Sequence, residues 1–291
     1  MPSLILFLAT SVWGLYWLPL RAIDAFGLTG PWAVFAMNLV PVLVLLPLAI
    51  WRRRGVARTL GPLLLIGFFV GTGWTLYGLG LLYTTIVRAT LLFYLTPLWS
   101  TLFAMSVLGE KVNPGRWAAI LVGFVGLFLM LGLGATSAPL NMGDAFGLIS
   151  GIAWGAGTTY IRKHPEVSPL DSFPAQALGS VVVSGLFIWL VPIPDIATPT
   201  LANWRESAPL LLAVCLLAVI PSGYAIVWAA QRLSPGRVGI LMMSEVVVAV
   251  ISAAFLTDES MGVGEWIGAA LIMGAGVLEV ASGESKQRAS V

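Results

Sequence analysis

Charge is missing from long stretches of this chain, and the lengths of those stretches limit what it can fold into. Residues 1–20, 29–51, 59–87, 89–109, 117–143, 145–161, 172–194 and 207–231 contain no Asp, Glu, Lys or Arg. Two further stretches carry acids only: 238–257 holds Glu245, and 262–281 holds Glu265 and Glu279 near its ends. Each is near the ~20 residues an α-helix needs to cross the hydrocarbon core of a bilayer. All are rich in Leu, Val, Ala and Gly, without the alternation of a membrane β-strand. The pattern predicts an all-α membrane protein of ten transmembrane helices. Residues 1–20 lack a cationic start and read as a retained first helix rather than a cleaved leader.

Composition supports a lipid-facing exterior. Hydrophobic residues make up 58% and charged residues 10%, against roughly 45–50% and about 25% in soluble domains. So few charges cannot clothe a water-facing shell. The net charge of +2 and the absence of a basic patch leave nothing for nucleic acid. The single cysteine, Cys215, excludes a disulfide framework and a multi-thiolate metal site, and reads as a packed core residue. The single histidine, His164, follows Arg162 and Lys163 in a polar loop and reads as solvated. No cofactor and no metal ligand set is expected.

The basic residues predict the orientation. Loops carrying Lys and Arg face the cytoplasm. With a cytoplasmic N-terminus, twelve of the fifteen basic residues fall inside: Arg52, Arg53, Arg54, Arg58, Lys111, Arg116, Arg162, Lys163, Arg232, Arg237, Lys286 and Arg288. Only Arg21, Arg88 and Arg205 fall outside. Both termini are therefore expected in the cytoplasm.

The halves echo each other. Trp13-Gly14 recurs as Trp154-Gly155, 141 residues later. Arg88, Glu110 and Trp117 recur as Arg237, Glu259 and Trp266, each 149 residues later. The difference matches a longer Pro-rich connection, 192–205, in the second half. Two units of five helices, 1–136 and 137–291, must lie inverted relative to each other, because five is odd. Inverted repeats are a common transporter architecture, with the substrate site near the midplane between the halves.

Those matched segments carry a resemblance. The chain resembles the ten-helix EamA-type members of the drug/metabolite transporter superfamily. The likeness rests on Val12-Trp13-Gly14 and Ala153-Trp154-Gly155, and on Thr96-Pro97 through Leu108-Gly109-Glu110. Its counterpart in the second half is Ser244-Glu245 through Thr257-Asp258-Glu259. The second copy departs from the family pattern, reading Glu245-Val246 where Glu-Pro is usual. Among subfamilies the chain is most similar to bacterial exporters of aromatic and other neutral amino acids. The resemblance implies alternating access, a central cavity built mainly from helices 1, 3, 4, 6, 8 and 9, and residence in the bacterial cytoplasmic membrane. The implied partners are a small-molecule substrate, amino acids first, and the lipid bilayer; a monomer is one admissible state.

Several residues are candidates for the substrate site. Glu245 is the one acid deep in a span, where an ionised group costs roughly 2.5–3.5 kcal/mol on insertion scales. It must face a wet cavity or a partner; a structural hydrogen bond, a substrate amine and a proton all remain open. Ser244 precedes it. Mid-span aromatics offer π-faces to apolar or cationic groups: Trp13 and Trp17 on one face of the first helix, Tyr77, Tyr94, Trp154, Tyr224 and Trp228, with the Asn38 amide alongside. Pro41, Pro97 and Pro221 free carbonyls or kink their helices. Gly67–Gly71, Gly147–Gly151–Gly155 and Gly264–Gly268 repeat at four residues and predict close helix seams.

The rival classes lack their chemistry. An intramembrane enzyme needs clustered Asp, His, Lys or Ser partners, and neither a His-Glu-x-x-His nor a Gly-x-Ser-x-Gly motif occurs. Carriers of phosphorylated substrates need basic residues inside the spans. A nucleotide-driven pump needs a Walker loop, which this chain lacks. A lipophilic-cation exporter remains as an alternative, since an aromatic cavity with one Glu suits such ions.

Overall fold

The computed structural model describes residues 1–52, 59–84, 86–131, 139–190, 197–256 and 262–289. Among these the regular structure is entirely helical, as expected where the backbone must satisfy its own hydrogen bonds in lipid. The first half runs α1 (Pro2–Trp13), α2 (Trp17–Asp24), α3 (Pro31–Arg52), α4 (Leu60–Tyr83), α5 (Ile86–Phe93), α6 (Thr96–Leu108) and α7 (Pro114–Leu131). The second runs α8 (Met142–Lys163), α9 (Pro169–Leu190), α10 (Leu201–Val214), α11 (Ile220–Ala230), α12 (Pro235–Met242), α13 (Ser244–Leu256) and α14 (Val263–Ala289). A π-helical turn, Cys215–Val219, joins α10 to α11.

Six helical segments among the described residues are long and apolar enough to cross a membrane: Pro2–Leu20, Pro31–Trp51, Leu60–Leu81, Ala89–Leu108, Pro169–Leu190 and Leu201–Ala230. Pro114–Leu129 and Trp266–Ala281 are shorter apolar helices. The α8 segment is less apolar because it lies at the centre, packed against α4, α5 and α6. Its small and hydroxylated residues touch protein rather than lipid: Gly147, Ser150, Gly151, Thr158 and Thr159 are all buried. Lipid-facing positions elsewhere carry bare apolar side chains, such as Leu217, Trp189 and Phe255.

Small residues set the close approaches. A Cβ on Gly71 would overlap the Gly179 carbonyl carbon, so α4 and α9 meet backbone to backbone. Gly147, Gly151 and Gly155 of α8 admit the backbones of α5 and α6, the tightest contact being 2.6 Å from a Cβ on Gly151 to the Phe93 carbonyl. Gly126 of α7 rests on the Gly268 carbonyl of α14.

Among the described residues, three of the uncharged or acid-only stretches are broken helices. The first breaks at Gly14, the fourth at Tyr94-Leu95 and the ninth at Met243. Tyr94 and Met243 stand 149 residues apart, the same spacing as Arg88 and Arg237. The fourth breaks just before Pro97, which sits in the first turn of α6 and has no N–H to continue α5. The ninth breaks without a proline. Here Thr10 of α1 hydrogen-bonds Ser244 at 3.0 Å between hydroxyls, and Gly14 packs against the Glu245 carbonyl. Pro221 sits in the first turn of α11, directly after the π-helical turn.

Candidate functional site

The broken helices converge on a cavity with an empty volume of about 770 Å³, mouth included. It runs from the middle of the bundle toward the end where α2 stops, α3 begins and α4 stops, marked by Leu20, Val34 and Leu81. Six aromatic rings form a continuous arc around it. Tyr16 stacks on Trp13 at 5.1 Å, and Trp13 on Trp74 at 5.6 Å. Trp74 reaches Trp154 at 5.9 Å, Trp154 reaches Phe93 at 6.4 Å, and Phe93 meets Tyr77 at 4.5 Å. Ring pairs at about 4.5–7 Å brace one another. Trp154 is further held by its indole N–H on the Met242 sulfur, 3.3 Å away.

Among the described residues Glu245 is the one charged side chain lining this cavity. The Met243 break brings it there, at the first turn of α13, where the helix N-terminus favours a negative group. The Tyr94 hydroxyl is buried close to the carboxyl. The Tyr77 hydroxyl pairs with the Thr90 hydroxyl at 3.3 Å. An ammonium set against Glu245 would therefore lie among electron-rich ring faces.

The structure brings Asn38, Tyr77, Trp154 and Glu245 together on the cavity wall. Asn38 donates to the Val34 carbonyl at 2.9 Å. Tyr94 stands in the layer behind, 1% exposed. Ser244 is buried and bonded to Thr10, so it supports Glu245 rather than lining the space. Two expected residues lie elsewhere. Tyr224 is 37% exposed and absent from the lining. Trp228 carries the Arg232 guanidinium over its ring at 4.2 Å. Both sit on α11, which offers Ile226 to the cavity instead. The Trp17 side chain lies outside the described residues.

Tyr16, Trp74 and Phe93 line the cavity beyond the residues expected from the sequence, and Trp13 lines it as one of the mid-span aromatics. Trp13 had a signal, the repeated Trp-Gly pair. Trp74 follows Gly73, whose Cβ would meet the backbone of Trp154 at 3.3 Å; only that packing shows its orientation. Helix α3 also contributes, through Val34 and Asn38.

The opposite end of the bundle is sealed. Gln231 donates to the Val167 carbonyl, and Arg162 donates to the Gln231 carbonyl, tying α11 to the α8–α9 corner. Phe173 of α9 presses its ring edge onto Gly223 of α11. Gly239 of α12 lies against Pro97 of α6. Arg116 and Arg237 converge on the buried Glu279 carboxylate, at 3.1 and 3.4 Å. At the exposed α8–α9 corner His164 contacts Glu166 at 2.8 Å, which holds that carboxyl below its usual range. Among the described residues no group of three His, Cys, Asp or Glu is placed to hold a metal ion.

Comparison with known proteins fits this architecture. The EamA-like transporter family matches the chain over residues 1–132 and 141–280. The chain belongs to the EamA-like transporter family. A protein of known crystal structure superposes with a TM-score of 0.74 at 20% identity over 96% of both chains, which shows a shared fold. An uncharacterized transporter of Vibrio cholerae is 24% identical over 274 residues, 87% of this chain and 85% of that one. S-adenosylmethionine uptake transporters of Rickettsia prowazekii and Rickettsia bellii are each 33% identical over 94 residues. The chain spans about a third of the length of these two relatives, at 31%. Family and relatives place the chain among transporters rather than enzymes.

The seal gives this EamA-like protein a testable hinge point. A Cβ on Gly223 would overlap the Phe173 ring, so Gly223→Ala should displace the ring and loosen the sealed end. In a Cys215→Ser background, a cysteine introduced by Ile226→Cys should then react several-fold faster with a membrane-impermeant thiol reagent supplied only on the sealed side. An unchanged labelling rate would show that Phe173 is not part of the seal.

Proposed function

We propose that this chain exports small amphipathic metabolites bearing an ammonium group, with aromatic and other neutral amino acids foremost, by alternating access. The observation that carries this reading is the single carboxylate, Glu245, set in an arc of six aromatic rings. Glu245 takes the ammonium, the rings take the apolar side chain, and the Asn38 amide is placed for polar groups of the substrate. Trp17, Tyr94, Ser244, Tyr224 and Trp228 belong to the same proposed machinery at one remove, as supports of the cavity or as lining in another state of the cycle.

The architecture proposed for this activity is ten spans in two inverted five-helix repeats, 1–136 and 137–291. The boundary itself lies outside the described residues. Two family matches, one on either side of it, support the division. The breaks at Tyr94 and Met243, at repeat-related positions, support the inversion. Bacterial relatives and the twelve-to-three distribution of basic residues support a cytoplasmic-membrane protein with both termini inside. In that orientation the cavity opens outward and the seal is cytoplasmic. Side-specific reporters inserted at His164 and at Thr198 are expected to give opposite signals. Equal signals would remove the ten-span topology.

A second reading, export of lipophilic cations, draws on one further observation. Among the described residues no basic side chain lines the cavity to meet a substrate carboxylate, so cations without one fit the same site. The molecule in the name of the partial relatives, S-adenosylmethionine, carries a sulfonium and an ammonium together with a carboxylate, so it suits either reading. Flux of amino acids, S-adenosylmethionine and a lipophilic cation in proteoliposomes, with and without a proton gradient, separates the two. Transport of none of them would overturn both.

A further inference from the structure

A second hollow lies directly behind the wall of the central cavity. It is an apolar groove of about 570 Å³, mouth included, between α1–α2 and the α10–α11 segment. Its rim residues Val12, Leu15 and Leu18 are exposed at 37–41%, on a surface that faces lipid. Trp13 and Tyr16 line both the groove and the cavity. The partition is thus one stacked pair of rings thick.

That partition stands on irregular backbone from both sides. Trp13 and Tyr16 flank the break at Gly14. Val214, Ala218 and Val219, across the groove, belong to the π-helical turn and its approach. Such turns forgo the regular α-helical ladder and often mark functional positions. The Trp13 indole N–H is buried and has no hydrogen-bond partner among the described residues, so no polar contact among them pins the ring in place. Buried indole N–H groups are normally satisfied.

From this we propose that the groove is a tail subsite. An amphipathic amine docked at Glu245 parts the Trp13–Tyr16 stack and lays its apolar tail in the groove, so that the site opens sideways to the bilayer. The occupant is the substrate's own hydrocarbon tail, because the groove backs directly onto the cavity that holds its charged head and shares Trp13 and Tyr16 with it. The inference rests on the ammonium reading of Glu245.

The test is inhibition of ethylammonium transport in proteoliposomes by butyl-, hexyl- and octylammonium. In the wild type, inhibition should tighten by roughly two- to fourfold per added methylene, as expected for burial of each CH₂. Ala218→Phe fills the groove and should flatten the dependence beyond butyl, weakening octylammonium by roughly 16- to 250-fold, the loss of four methylenes' worth of burial. Leu217→Phe, on the lipid surface beside the groove, controls for partition into the bilayer and should follow the wild type. If Ala218→Phe misfolds, the smaller filler Ala218→Leu provides the same readout. Wild-type length dependence in the filled variant, or equal loss in Leu217→Phe, overturns the subsite. A wild type that neither transports nor binds any amine overturns the ammonium reading itself, and the subsite with it.

Discussion

Glu245→Gln is expected to raise the KM for ammonium-bearing substrates by roughly ten- to a hundredfold. A hydrogen bond to a charged group contributes about 1.5–3 kcal/mol, and the neutral amide gives up the charge while keeping the shape. The aromatic arc still offers cation–π attraction of about 0.5–2 kcal/mol, so residual transport is expected. Inhibition by neutral indole, which needs only the rings, should change little. The substitution also removes the one carboxyl among the described residues of the cavity wall, so the pH dependence of transport should change with it. Expression and monodispersity should persist, since a neutral amide at this depth is cheaper to insert than a carboxylate. Proteoliposome kinetics over a pH series decide the matter. Unaltered KM and pH profile would leave Glu245 a structural residue.

Glu279→Ala is expected to produce the largest loss of stability. Glu279 is 1% exposed and accepts from Arg116 and Arg237, and Arg237 also donates to its backbone carbonyl at 3.0 Å. Arg116 in turn reaches Ser234 at 2.7 Å and Glu110 at 3.6 Å. One carboxylate thus joins α14, α7 and α12 at the sealed end. Removing one partner of a buried ion pair costs about 3–5 kcal/mol, because the remaining charges stay buried. Glu279→Gln keeps an acceptor and should fall between. Thermal unfolding in detergent gives the order, with Ala below Gln and both below wild type. A wild-type melting temperature for Glu279→Ala would show that the cluster is not a brace.

The two acids differ in how visible they are in the sequence. Glu245 lies seven residues into its stretch and is conspicuous because a charge at that depth is costly. Glu279 lies near the end of its own and reads as an interfacial residue, as does Arg237. Only the packing of three helix ends reveals them as one buried cluster. The aromatic residues divide similarly. Tyr77 and Trp154 line the cavity, whereas Tyr224 and Trp228 sit on faces of α11 turned elsewhere. Mid-span position gives depth, and the rotation of a uniformly apolar helix has no periodic signal to read.

The class of this protein, helical and embedded in lipid, is legible from its residues alone. It follows from the lengths of uncharged stretches and the scarcity of charge, which are local or countable. The doubling has a countable signal too, in repeated pairs such as Trp13-Gly14 and Trp154-Gly155. The site belongs to the packing. The fourth stretch carries its break in the sequence, as Pro97. The ninth has Val246 at the corresponding place and breaks all the same, held by the Thr10–Ser244 hydrogen bond and by Gly14 against the Glu245 carbonyl. A missing proline donor is written in one residue. A helix opened by contact with another helix more than two hundred positions away is written in none, because the energy that holds it belongs to the pair.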